Sequence, residues 1–181
     1  SQRMTTEHYY QLIQLGYNRI PIIREGLADL DTPLSAYLKL AHGPYSYLLE
    51  SVQGGEKWGR YSIIGLPAQT IVRVTGRQIE VRTHGQTVEQ AHEADPLKWL
   101  AAYQQRFRVP KQVGLPRFTG GLVGYFAYDT VRYIEQRLVV TTHQDSLGTP
   151  DILLMVSEEV VVFDNLKGKV YLIVYANPAQ P

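Results

Sequence analysis

The sequence predicts an α+β protein, mainly antiparallel β-sheets in a sandwich-like arrangement with peripheral helices. Short β-rich runs bounded by Gly, Pro, Asn and Asp recur along the chain, and regular strand-helix-strand alternation is absent. Few segments carry helical spacing of apolar residues, and they lie outside these runs. With 181 residues, one domain or two small lobes can bury roughly 70% of the unfolded surface, enough for a true core.

The elements follow in order. A first helix is predicted from near Thr6 to Leu15, with threonine available as its cap and Gly16 where a left-handed terminus belongs. Arg19 to Arg24 reads as a strand that Pro21, lacking a donor, restricts to an edge or a strand start. Asp31 to Leu40 offers a capping residue, a proline suited to a first turn and helical periodicity, ending near Gly43. Tyr47 to Ser51 and Gly59 to Gly65 are strands separated by a glycine-marked turn. Thr70 to Val74 and Gln78 to Arg82 flank Gly76-Arg77, a type II′ hairpin with one buried and one wet face.

Asp95-Pro96 caps a third helix carrying Leu97, Trp99, Leu100, Tyr103 and Phe107, aromatics suited to the core. Pro110, Gly114 and Pro116 mark either a loop inside one domain or a junction between lobes. Gly120-Gly121-Leu122-Val123-Gly124 opens a strand in which glycine permits close backbone approach. Asp129 is placed to cap a short helix through Val131 and Ile134. Ile152 to Phe163 and Lys169 to Tyr175 complete the sheets, joined by the turn Asp164-Asn165-Leu166-Lys167-Gly168.

Composition narrows the function classes. Eighteen basic and 17 acidic residues are dispersed to a net charge of +1, without the basic stripe that a nucleic-acid backbone requires. There is no cysteine, hence no disulfide framework, thiolate metal site or cysteine nucleophile, a usage compatible with a reducing cytosol. No apolar run reaches bilayer length, and Ser1 to Thr6 lacks a signal-peptide core. These features predict a cytoplasmic protein with neither membrane nor nucleic-acid partners.

Self-contained catalytic chemistry is missing from the motifs. Gly54 to Arg60 lacks the Gly-Lys-Ser/Thr ending of a phosphate loop, and Gly120 to Gly124 lacks the spacing of a dinucleotide fingerprint. The five histidines are scattered, and His92-Glu93 lacks the second histidine of a zinc helix. No nucleophile elbow surrounds Ser46, Ser51 or Ser62. The remaining candidate is the strand pair around Glu50 and Arg60. It is either an exposed hairpin carrying two opposite charges or the wall of a pocket for a zwitterion, Glu50 accepting from an ammonium and Ser51 donating to a carboxylate.

Leu48-Leu49-Glu50-Ser51, Gly59-Arg60-Tyr61-Ser62, the long block Phe118 to Glu135 and Val162-Phe163-Asp164-Asn165 occur in the order that resembles the amino-terminal region of anthranilate synthase component I. The resemblance spans about Ile20 to Tyr175. It implies a single amino-terminal regulatory domain over residues 1–181, without the carboxyl-terminal half that binds chorismate and magnesium. It further implies that Glu50 and Ser51 contact inhibitory tryptophan, with Leu49 as a wall and Arg60, Tyr61 and Ser62 as further contacts. The parent reaction so implied aminates chorismate with ammonia from a glutamine amidotransferase subunit and eliminates pyruvate. No catalytic residue and no metal ligand is expected in this chain, which alone should be inactive. The paralogous aminodeoxychorismate synthase component I and a free-standing amino-acid-binding module are the alternatives; the pairing of Leu-Leu-Glu-Ser with Gly-Arg-Tyr-Ser favours the first family.

Overall fold

A computed structural model describes residues 4–27, 32–40, 43–50, 60–111, 121–127, 139–143 and 151–179. In chain order its elements are α1 (Thr6–Gln14), β1 (Ile20–Leu27), α2 (Pro33–Leu40), β2 (Tyr47–Glu50), β3 (Tyr61–Gly65), β4 (Thr70–Thr75), β5 (Gln78–Thr83), β6 (Gln86–His92), α3 (Pro96–Gln104), β7 (Gly121–Ala127), β8 (Val139–His143), β9 (Ile152–Ser157), β10 (Glu159–Asp164) and β11 (Lys169–Ala176). They form two compact units: Ser1–Pro67 with Phe107–Gly120 and Glu158–Pro181, and Ala68–Arg106 with Gly121–Ser157. The α+β class with mainly antiparallel sheets and few helices is observed.

The first unit holds a five-stranded antiparallel sheet in the order β1-β11-β10-β3-β2. Pro21 lies in β1, an edge strand, where its missing N–H breaks no ladder. β10 runs through the middle, and Val160, Val161, Val162 and Phe163 are all buried. A strand covered on both faces needs a continuous apolar run, which these four residues supply. Ala36 of α2 packs with Ile64, Val161 and Phe163 on one face. Helix ends follow sequence chemistry: the Thr5 hydroxyl accepts the His8 N–H at 3.1 Å, and Gly16 adopts φ +92° beyond α1. For α2 the described cap is Thr32, whose hydroxyl accepts the Ser35 N–H at 3.1 Å.

Glycine matters at Gly65, where the Tyr47 ring lies across the backbone so closely that an added Cβ would fall 1.9 Å from it. The second unit repeats this requirement against main chain. A Cβ at Gly124 would sit 1.7 Å from the Leu153 carbonyl oxygen, the close approach expected of the glycine-rich block.

That second unit holds the sheet β6-β5-β4-β9-β7-β8, antiparallel except for β7 with β8. Gly76 has φ +61° while Arg77 stays outside the positive-φ region, as the II′ turn requires. Asp95 caps α3 by accepting the Lys98 N–H at 3.3 Å, and Leu100 and Tyr103 are buried.

Several expectations are corrected here. The predicted strand from Ile152 to Phe163 is two strands, β9 and β10, in different sheets; the chain changes sheet at polar Glu158. Strand β6 was not anticipated because Gln86–His92 is an exposed, polar edge without apolar alternation. The parallel β8 was also missed. Phe107 lies beyond the end of α3 and carries the Arg19 guanidinium 4.8 Å above its ring. In β4, Ile71 and Val72 are both buried, so that strand lacks the wet face its hairpin partner shows. The helix predicted after Asp129 falls outside the described residues.

Candidate functional site

The two motif strands pair as predicted: β2 lies antiparallel to β3, with Leu48 opposite Ile64, Leu49 opposite Ile63 and Glu50 opposite Ser62. β10 flanks β3 on its other side, with Phe163 opposite Ser62 and Asp164 opposite Tyr61. Three of the four sequence blocks therefore converge at one end of one sheet. Ser51 and residues 52–59 lie outside the described residues, as does the Glu50 side chain.

Period-2 alternation divides the candidates between two faces. Position 50 and Ser62 share the register row of Phe163, which packs beneath α2. Leu49 and Tyr61 belong to the opposite face. Arg60 reaches that opposite face: its Nε and Nη2 fork onto the two Asp164 carboxylate oxygens at 3.4 and 3.3 Å, and its guanidinium lies 4.9 Å over the Tyr61 ring. The sequence predicts Glu50 as the carboxylate near Arg60; the carboxylate that Arg60 meets among the described side chains is Asp164.

Asp164 is only 2% exposed, so burial alone would raise its pKa. The Arg60 hydrogen bond and the Lys167 and Leu166 backbone N–H groups outweigh that penalty and hold it below the usual carboxylate value. The same hydrogen bond raises the Arg60 pKa. Beside them the Lys169 ammonium contacts the Glu25 carboxylate at 2.7 Å, which raises the lysine. Burial, reinforced by Glu25, pushes the Tyr171 phenol up.

On the other face the next residue does the matching task. Asn165 donates its side-chain amide to the Ser62 hydroxyl at 3.1 Å and its backbone N–H to the Arg60 carbonyl at 2.7 Å. The dipeptide Asp164-Asn165 thus straddles the sheet end, holding Arg60 on one side and Ser62 on the other. Neither residue was singled out as a site residue from sequence, although the Val162 to Asn165 block was the available signal. A separate cavity of about 250 Å³ in the second unit, lined by Val74, Pro96, Leu97 and Ile152 with Asp95 and Asp151, is mostly apolar. Among the described residues no three His, Asp or Glu side chains converge on a possible metal position, and no helix is long and apolar enough to cross a membrane.

Comparison with known proteins decides what the four ordered blocks mean. Anthranilate synthase component 1 of Pseudomonas aeruginosa is 58% identical over 98% of this chain, and that of Neisseria meningitidis serogroup C 55% identical over 98%. The chain is homologous to the amino-terminal portion of anthranilate synthase component 1. It spans 36% and 37% of the length of these two relatives. No family model matches. A crystal structure of anthranilate synthase component I from Streptococcus pneumoniae is 26% identical, covering 84% of this chain and 31% of its own, with a TM-score of 0.43.

Proposed function

We propose that the chain is the tryptophan-sensing, amino-terminal regulatory domain of an anthranilate synthase component I, and that tryptophan binds at the Glu50 end of the β2–β3 pair. The observation that carries this is homology along nearly the whole chain, in which the Leu-Leu-Glu-Ser and Gly-Arg-Tyr-Ser strands are hydrogen-bonded neighbours. In this reading Glu50 accepts from the ligand ammonium, Ser51 and Ser62 donate to its carboxylate, and Leu49 lies beside the site at the strand end. Arg60 and Tyr61 support it from the opposite face.

Magnitudes require both parts of the ligand. Burying an indole-sized aromatic removes about 150 to 250 Å² from water, worth roughly 4 to 6 kcal/mol. Association entropy consumes much of that, so charge-assisted bonds to the head group must supply the remainder and distinguish an amino acid from indole.

The whole enzyme would use ammonia from a glutamine amidotransferase subunit to convert chorismate to anthranilate and pyruvate. The chorismate-binding half would follow this chain, in the cytoplasm. Magnesium would be held in that chorismate-binding half. Tryptophan would favour an arrangement of the two halves that binds chorismate poorly, a coupling of about 1 to 3 kcal/mol. In the full-length enzyme, Ser51→Phe should raise the tryptophan concentration needed for half-inhibition by roughly tenfold or more, the equivalent of about 1.4 kcal/mol. Inhibition like that of the native enzyme would contradict the site.

A further inference from the structure

We propose that Asn165 is a positioning residue for the amino-acid site, acting through Ser62 to fix a hydroxyl donor beside strand position 50. The inference rests on the functional reading above and goes beyond it by assigning a role to the turn after β10.

Ser62 is 3% exposed and stands directly opposite position 50 in the β2–β3 register. Its oxygen accepts the Asn165 amide at 3.1 Å. A serine hydroxyl that accepts one hydrogen bond still has its own proton to give. Occupying the oxygen from one side restricts the directions in which that proton can point. A hydroxyl held in this way discriminates in favour of a ligand carboxylate, because a freely turning one must be ordered on binding.

The turn itself is anchored independently of any ligand. The Asp164 carboxylate accepts the Leu166 and Lys167 N–H groups, each at 3.1 Å, and the Gly168 N–H meets the Asp164 carbonyl at 2.9 Å. Gly168 closes the turn at φ +65°. Asn165 therefore extends from a rigid corner. Asn165 is an exposed residue, so truncating it opens no core cavity, and a loss of ligand affinity would report positioning rather than unfolding.

The test is a double-mutant cycle on the full-length enzyme, with L-tryptophan binding read by equilibrium dialysis. Asn165→Ala and Ser62→Ala should each weaken binding by about 10- to 150-fold, the range for one lost hydrogen bond to a charged group. The double variant should bind as weakly as the weaker single variant and no worse, since both remove the same directed donor. Native affinity in Asn165→Ala would overturn the proposal while leaving the tryptophan site standing, and so would independent, multiplying effects in the double variant. If the native enzyme itself fails to bind tryptophan, the site and this inference fall together.

Discussion

Arg60 and Arg106 each fork onto a carboxylate, one in each compact unit, and the two forks differ in nearly every respect. Arg106 meets Glu89 at 2.8 Å through both nitrogens, with side chains 53% and 32% exposed. It also lies over Tyr103 and Trp99, at 5.0 and 5.6 Å from their centroids. Arg60 meets Asp164 at the longer 3.3 and 3.4 Å, but the Asp164 side chain is 1% exposed. By bond length alone the Glu89 fork would rank first. Burial reverses the order, because water can replace either member of an exposed pair, whereas a buried carboxylate that loses its partner keeps its desolvation penalty. The Asp164 fork also ties residues 104 positions apart, against 17 for the other.

The largest effect should follow from removing the buried carboxylate. Asp164→Ala strands the Arg60 fork and two turn N–H groups, and is expected to cost about 2 to 3 kcal/mol in denaturant unfolding. Glu89→Ala should cost less than about 1 kcal/mol in the same measurement. Equal costs would break the comparison.

Acid sharpens it further. Both carboxyls are held below their ordinary values, 3.8 for Asp164 and 4.5 for Glu89. For Asp164 burial pulls upward and the Arg60 and backbone bonds prevail; for Glu89 the Arg106 bond is the main cause. A depressed acid stabilises the fold fully above its unfolded value, and that contribution disappears as pH falls through the lower folded value. Asp164→Asn should therefore flatten the stability profile below the ordinary aspartate value, and an unchanged acid limb would contradict the assignment. The smallest expected effect is that of salt. Raising ionic strength from about 0.1 to 1 M shortens the screening length from roughly 10 to 3 Å, so the Glu89→Ala penalty should shrink while the Asp164→Ala penalty persists.

How far the sequence reached follows the same division between local and long-range causes. Caps at Thr5 and Asp95, the Gly76 turn and the pairing of β2 with β3 were readable because each depends on residues close in sequence. The break between β9 and β10 was not, since Ile152 to Phe163 is apolar enough to read as one strand and only sheet membership separates its halves. Polar β6 hid for the opposite reason. At the site, Leu49, Glu50, Tyr61 and Ser62 fall on neighbouring strands as expected, with Arg60 just before β3, but alternation places Leu49 and Tyr61 on a different face from Ser62. The partners Asp164 and Asn165 were not assigned to the site, because contacts across more than 100 residues leave no periodic trace in the chain.

The central claim, that the Glu50 end of the β2–β3 pair receives the head group of tryptophan, is tested most directly by a crystal structure of the full-length enzyme with L-tryptophan bound. The ligand ammonium and carboxylate are expected within hydrogen-bond distance of Glu50 and Ser51, beside Ser62 at the margin of the five-stranded sheet. Tryptophan seated elsewhere, with the β2–β3 end facing only solvent, would contradict it.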